Sequence, residues 1–274
     1  MTSDFFDNHQ GNPATSFMDP EHRRRGVRKD LIADVQLRFD RRWRSLVRQA
    51  AALPRQRVLV VGVEVPERGD ALAGITAQLA RSRHDVVVST VPMAPKGKFE
   101  NVDDAIRAAA EPLGAFDWLV ITDDDVALPA HFLDRYLAAA TAGDLVVSQP
   151  AHRFRSYTTY DLTRRRRGFV ARQTGFVEIG PLTVIRREAF GELIPFPPSR
   201  WAYGIDVLWA KIARDHGWRM GVVDALPIGH LKPVGASYSM DEAIAEGRAL
   251  LDRFDVHLNR ADLFAERGEL FPRG

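Results

Sequence analysis

Three consecutive carboxylates, Asp123, Asp124 and Asp125, follow the apolar run Phe116 to Thr122 (FDWLVIT). Like charges so close together repel one another, and at the end of a buried strand they need a cation or strong donors beside them. A divalent cation is the natural compensation, because Mg2+ and Mn2+ take oxygen ligands, commonly one or two carboxylates with water and substrate phosphates for the rest. Capping the next helix accounts for one aspartate but poorly for three. The chain has no cysteine, which excludes a disulfide framework and a thiolate metal site. Metal ligands must therefore be carboxylate, imidazole or carbonyl groups.

The elements that position these residues read as an α/β sheet with helices on its faces. Val58 to Val63 (VLVVGV) is a buried first strand, Asp70 to Ser82 a helix capped by Asp70, and Val86 to Val91 a second strand. A helix spans about Val102 to Ala110, and Phe116 to Thr122 is a third strand that delivers the aspartates to its carboxyl end, where ligands bind in open α/β sheets. Pro129 to Ala142 is helical and Asp144 to Ser148 a fourth strand. Residues 151 to 172 are polar and Arg-rich without periodicity and read as a mobile loop near the site. Order returns over Thr174 to Ile185, with a short helix at Arg187 to Leu193, a Pro-rich connector, a helix at Ile205 to His216, and a last strand at Met220 to Asp224. Asp241 to Phe254 is a C-terminal amphipathic helix.

With 274 residues, 45% hydrophobic and 27% charged, the chain can bury one sizeable core. The expected organisation is a disordered or extended N-terminus (1–20), a basic amphipathic helix (21–53), a catalytic domain (54–240), and a C-terminal helix and tail (241–274). A formal charge of only +2 argues against a whole-protein nucleic-acid footprint. The N-terminus lacks the basic patch and apolar stretch of a secretory signal, and no apolar run is long enough to span a bilayer, so the expected location is cytoplasmic. Residues 23–48 hold ten Arg or Lys against Asp30, Asp34 and Asp40, with Leu31, Val35, Phe39, Trp43, Leu46 and Val47 at helical spacing. Two readings fit this helix: packing on the catalytic domain with a solvated Arg face, or attachment to anionic lipid at the inner membrane surface or to an oligomer partner.

A hydrophobic strand ending in Asp-x-Asp, about sixty residues after the first strand, resembles the metal-binding signature of GT-A glycosyltransferases. KGKFENVDDAIRAA before it is similar to the stretch, containing Lys and Asn, that precedes this motif in family 2 enzymes, which implies donor roles for Lys98 and Asn101. TGFVEIGPLTVIRREAF resembles the strand and Arg-Arg-x-x-Phe segment behind their sugar site, and RWAYGIDVLWAKIA their acceptor-side segment. The likeness spans roughly residues 58 to 233. It implies a GT-A fold with a mixed central sheet flanked by helices, and transfer of a sugar from a UDP-, GDP- or dTDP-linked donor to an acceptor hydroxyl, with Mn2+ or Mg2+ as cofactor. Asp123 matches the donor-contacting first Asp and Asp125 the metal-ligating last one, while Asp124 holds the variable middle position on the donor side. Glu64, after the first strand, is the nucleoside contact by analogy.

Family 2 enzymes usually carry an acidic pair at the start of the acceptor helix. The pair here is Ile205 and Asp206, so only Asp206 remains as the base, and direct displacement by a hydroxyl it deprotonates would invert the anomeric centre. An aspartate that simply favours the helix dipole is the other reading. His230, in PIGHLKP, matches the third metal ligand of several GT-A enzymes but also suits a hydrogen-bonded loop residue. Lys232 is either a phosphate contact or a solvated lysine. The run Arg164, Arg165, Arg166 and Arg167 is either a solvated charge run or a lid over phosphate. Trp201 and Tyr203 stand where they can stack on a sugar or pack in the core. Two alternatives compete. A sugar nucleotidyltransferase would need a Gly-rich, Arg-containing loop that GVEVPERGD does not supply. A non-catalytic membrane- or protein-binding adaptor on a degenerate transferase fold draws support from the acid missing at Ile205. Neither GxxxxGK[ST] nor GxGxxG follows a strand.

Overall fold

The computed structural model describes residues 3–6, 20–232 and 239–271. In chain order the helices are α1 (Ser3–Phe6), α2 (Pro20–Phe39), α3 (Arg41–Ala52), α4 (Ala71–Ala80), α5 (Lys98–Ala108), α6 (Phe132–Ala142), α7 (Phe190–Leu193), α8 (Ile205–Asp215), α9 (Met240–Arg253) and α10 (Arg260–Leu263). The strands are β1 (Arg57–Glu64), β2 (Asp85–Pro92), β3 (Trp118–Thr122), β4 (Val126–Ala127), β5 (Val147–His152), β6 (Arg172–Thr174), β7 (Leu182–Arg186), β8 (Met220–His230) and β9 (Glu266–Glu269).

They form one mixed sheet in the order β2-β1-β3-β7-β5-β8-β6-β9, with β4 paired to β8 off this path. β1 lies parallel between β2 and β3, and β7 runs antiparallel between β3 and β5. The strands read from continuous apolar runs are the central ones: all five residues of β3 are buried, as expected when helices cover both faces. The core divides accordingly. Leu59, Leu119 and Ile185 pack on one face against Phe99 and Trp209, and Val58, Val60 and Val120 on the other against Trp43, Leu79 and Tyr136. This mixed sheet flanked by helices is the GT-A architecture expected from the sequence.

Several boundaries differ from expectation. Of the N-terminal extension, residues 1–2 and 7–19 lie outside the described residues, but Ser3–Phe6 is helical and Phe5 and Phe6 are each 1% exposed, packed with Tyr160, Phe176, Tyr203 and Phe264. The basic segment is two helices, because Asp40 breaks it and accepts from the backbone N–H groups of Arg42 and Trp43 as the N-cap of α3. The C-terminal stretch contributes β9, an edge strand too polar to be read from periodicity. Among the described residues no helix is long and apolar enough to cross a membrane.

Candidate active site

Asp123 directly follows the end of β3, and its backbone N–H donates to Pro181 O (2.8 Å). Each of the three carboxylates meets a different cationic group. Lys98 Nζ lies 2.8 Å from Asp123 Oδ2 and also donates to Gly180 O (3.4 Å). Arg68, from the loop after β1, pairs with Asp124 and lies 3.7 Å from Asp125 Oδ2. His230 Nε2 lies 3.6 Å from the same Asp125 oxygen. Asp124, at the variable middle position, is thus deeply buried and ion-paired. Burial pushes Asp125 up, but His230, Arg68 and Lys98 outweigh it and hold the carboxyl below its ordinary range. Burial pulls His230 down, while Asp125 and the neighbouring acids Glu178 and Asp123 more than reverse this.

His230 is not in a loop after the last strand, because β8 runs on from Asp224 to His230. Its end pairs antiparallel with β4, Val126 opposite His230, and Leu231 N donates to Asp125 O (3.0 Å). That two-residue ladder sets the imidazole beside the aspartate. Buried Asp124 Oδ2, Asp125 Oδ1 and His230 Nδ1 have no hydrogen-bond partner among the described residues.

The opposite wall comes from α5 and the loop before α8. Asn101 is 1% exposed and works as a clamp: its Oδ1 accepts from Ala94 N (2.8 Å), and its Nδ2 donates to Lys96 O (3.2 Å) and Gly97 O (3.0 Å). It thereby shapes the turn that presents Lys96 and Lys98. A Cβ at Gly97 would sit 1.9 Å from Ser199 O, so only glycine lets this turn pass the 199–203 loop. That loop carries Ala202 at φ 62° and is followed by Gly204, the N-cap of α8, at φ 85°, and the two left-handed residues turn the chain into α8 at a cost in strain at the alanine.

Asp206, in the first turn of α8, is 4% exposed and accepts from Val207 N (3.0 Å). Its pKa is pushed up to about 7 by burial and by the charge of Glu178, against the opposing pull of the Val207 and Ile179 N–H groups. Trp201 and Tyr203 line the same space. Tyr203 stacks on Phe6 (6.4 Å between centroids) with its hydroxyl on Met240 Sδ (3.1 Å), while the Arg200 guanidinium lies 4.8 Å from the Trp201 ring.

These groups face one cavity of about 450 Å3, lined by all three aspartates, Lys98, Asn101, Trp201, Tyr203, Asp206 and His230. Glu64 is not among the lining residues, since its carboxylate accepts from Thr90 Oγ1 on β2 (2.5 Å) while Val63 and Val65 face the space. Lys232 is exposed and also outside.

The four arginines do not reach the cavity either, and their backbone is clamped. Arg165 N donates to His152 O (2.9 Å), Arg166 N to Asp224 Oδ1 (2.7 Å), and the fully buried Arg172, paired with Asp224 at 3.0 Å, donates to Arg164 O (2.8 Å). The Arg165 side chain reaches Asp34 on α2 (2.6 Å) and that of Arg166 reaches Glu266 (2.8 Å). Arg164 donates to Phe154 O (3.2 Å), and Arg167 is exposed. The lid expectation fails because these side chains tie α2 and β9 to the body.

The cavity's cations are instead Arg68, Lys96, Lys98 and Arg200. Three of these were not singled out in the sequence, nor was Glu178, which is 6% exposed and accepts from Thr163 Oγ1 (3.0 Å). The only signal for Glu178 was a lone acid inside the apolar run FVEI. Four cations above a floor of acids can grip a polyanion whose charge a divalent ion shares.

No curated protein sequence matches the chain. Among solved structures, it is similar to GalNAc-T7 with UDP, GalNAc and Mn2+ (11% identity, TM-score 0.46, covering 73% of this chain and half the length of that one). It is similar also to S. aureus TarS 1–349 with UDP-GlcNAc (12%, TM-score 0.44, 75% of this chain and 68% of that one). The catalytic domain of Drosophila beta1,4galactosyltransferase 7 with xylobiose gives 13% identity and a TM-score of 0.43, with 68% and 78% covered. These structural likenesses are too distant to assign chemistry. The sequence match is decisive for the family: residues 37–242, which include β1 to β8 and every lining residue of the cavity except Phe5, match the family described as "Glycosyltransferase like family 2", and the chain belongs to that family of glycosyltransferases.

Proposed function

We propose that this protein moves a sugar from a nucleoside-diphosphate donor to an acceptor hydroxyl, with Mn2+ or Mg2+ at Asp125 and His230 and with Asp206 as the base. The observation that carries this reading is the convergence, in one cavity, of the Asp125 and His230 pair with a separate buried aspartate. Buried Asp125 Oδ1 and Asp124 Oδ2, lacking hydrogen-bond partners among the described residues, fit a hard cation's preference for oxygen. Among the described residues no three His, Asp or Glu side chains gather around one point. Two protein ligands, completed by diphosphate and water, suit Mg2+ or Mn2+ better than a dedicated protein cage. When bound, the cation would neutralise charge that builds on the leaving diphosphate.

The chain's own groups then divide the work. Lys98, Arg68, Lys96 and Arg200 donate to phosphate oxygens, Asp123 accepts from the donor's ribose, and Trp201 offers a ring face to a sugar. Asp206 takes the proton of the acceptor hydroxyl as its oxygen bonds to the anomeric carbon and the diphosphate departs from the opposite side, so the anomeric configuration inverts. Burial, with the charge of Glu178 added to it, keeps Asp206 more basic than an ordinary carboxylate. UDP, GDP and dTDP are the donor nucleotides to test. Thermal shift with each, and with CDP, in the presence and absence of Mn2+ is expected to give Mn2+-dependent stabilisation by one of them that Asp125→Ala abolishes. No stabilisation by any nucleotide would instead favour an adaptor on a transferase fold.

A further inference from the structure

Helix α2 is inverted relative to an ordinary surface helix, which buries its apolar stripe and exposes its charges. Val27, Leu31, Val35 and Phe39, spaced four residues apart, are 42%, 63%, 50% and 70% exposed. They form a ridge about 18 Å long on the outer side of the helix. The inner side is polar and small. Asp30, 2% exposed, accepts from the N–H groups of Phe154 (3.0 Å) and Arg155 (3.3 Å), and Asp34 accepts from Arg165 (2.6 Å) and Arg153 (3.1 Å). Ala33 is buried, and a Cβ at Gly26 would lie 3.0 Å from the Arg155 backbone. The helix is therefore held down by its acids, and its apolar ridge is left facing outward.

The charge around the ridge has one sign. Arg24, Arg28, Lys29, Arg38 and Arg41 are exposed, while each acid between 24 and 41, Asp30, Asp34 and Asp40, is tied to a partner within the protein. Phe39 and Val35 also line an open cavity of about 640 Å3 together with Leu37, Phe169 and Arg41.

We propose that this outer face of α2 is a docking surface for a membrane that carries anionic phospholipid. An apolar ridge flanked by Arg and Lys enters the boundary between headgroups and acyl chains, while the cations remain at the level of the phosphates. Charge complementarity selects this occupant. Two copies of the chain joined through the same face would set arginines against arginines, a repulsion that an anionic bilayer replaces with attraction. The segment that grips Asp30 through Phe154 and Arg155 continues to Thr159 and Tyr160 in the wall of the catalytic cavity, so the docking face and the cavity share one connecting segment. The surface stands independently of the proposed chemistry.

The test is flotation of the full chain with phosphatidylcholine vesicles, with and without phosphatidylglycerol. The protein is expected to float with the anionic vesicles only, and less so as salt is added. Leu31→Ser/Val35→Ser/Phe39→Ser is expected to lower the bound fraction at least about tenfold with thermal unfolding unchanged. Arg28→Glu/Arg38→Glu keeps the ridge and is expected to do the same, which covers the case in which the triple variant fails to fold. Equal flotation on neutral vesicles, or full binding by the charge-reversed variant, overturns the proposal. So does a failure to float, and a concentration-dependent dimer that the serine variant dissolves would then assign the ridge to a second copy.

Discussion

His230 Nε2 lies 3.6 Å from Asp125 Oδ2, although the two residues come from the ends of different strands. The β4–β8 ladder is what joins them, through Val126 opposite His230 and the Leu231 N–H on Asp125 O. If the pair holds the cation, removing either member should weaken Mn2+-dependent donor binding by about 10- to 100-fold or more, the scale at which metal sites respond even to loss of supporting groups. Calorimetric titration of Mn2+ with the stabilising nucleotide measures this in Asp125→Ala and His230→Ala. Unchanged affinity in both would remove the metal from these residues.

Asp206 links activity and stability to pH in opposite senses. As a base it must be ionised, so turnover is expected to fall about tenfold per pH unit below its pKa of about 7. For stability, a carboxyl whose folded pKa lies above its unfolded value of 3.8 favours the folded state at acid pH, and that contribution is lost as pH rises through about 7. Above that point the buried charge costs on the order of 4 kcal/mol. Asp206→Asn should therefore lose turnover, retain donor binding and unfold at higher temperature than the parent at alkaline pH. An Asn variant with parental turnover rules out the base.

The four cations lining the cavity and the four-arginine run make opposite predictions. Lys98→Ala and Arg200→Ala should each raise the donor KM about tenfold, the value of one charge-assisted hydrogen bond to phosphate. Arg167→Ala, exposed and outside the cavity, should leave it unchanged. A donor KM that rises only in the Arg167 variant would restore the lid reading.

Arg172 and Asp224 are both fully buried and paired at 3.0 Å. Arg172→Ala would strand the Asp224 charge and release the clamp on Arg164 O, at a cost of about 3–5 kcal/mol. Urea unfolding at neutral pH measures it, and a change below about 1 kcal/mol would mean that the pair contributes little.

The parts of this fold legible from sequence were those in which neighbouring residues carry the signal. VLVVGV and FDWLVIT declare buried strands because every side chain in them is apolar, and three adjacent aspartates declare a charge problem whatever surrounds them. β9 was not legible, because ERGE has no apolar face and is a strand only by pairing with β6. The helical period of residues 23–48 was visible too, but it could not say which side meets the protein. In α3 the apolar side does, through Trp43 and Leu46. In α2 it does not, because Asp30 and Asp34 find partners 124 and 131 residues away.

By itself, then, the sequence determined that an α/β sheet ends in a cluster of carboxylates needing a cation, and its motifs pointed to the family. Only the tertiary structure decided which residues share the cavity with that cluster. It brought in Arg68, Lys96, Glu178 and Arg200, set His230 beside Asp125, and left Glu64, Lys232 and the arginine run outside the cavity lining. The physical reason is that charge pairing depends on through-space distance, and the pairs that matter here join side chains far apart along the chain, brought together by strand register and by buried acids that no local pattern encodes.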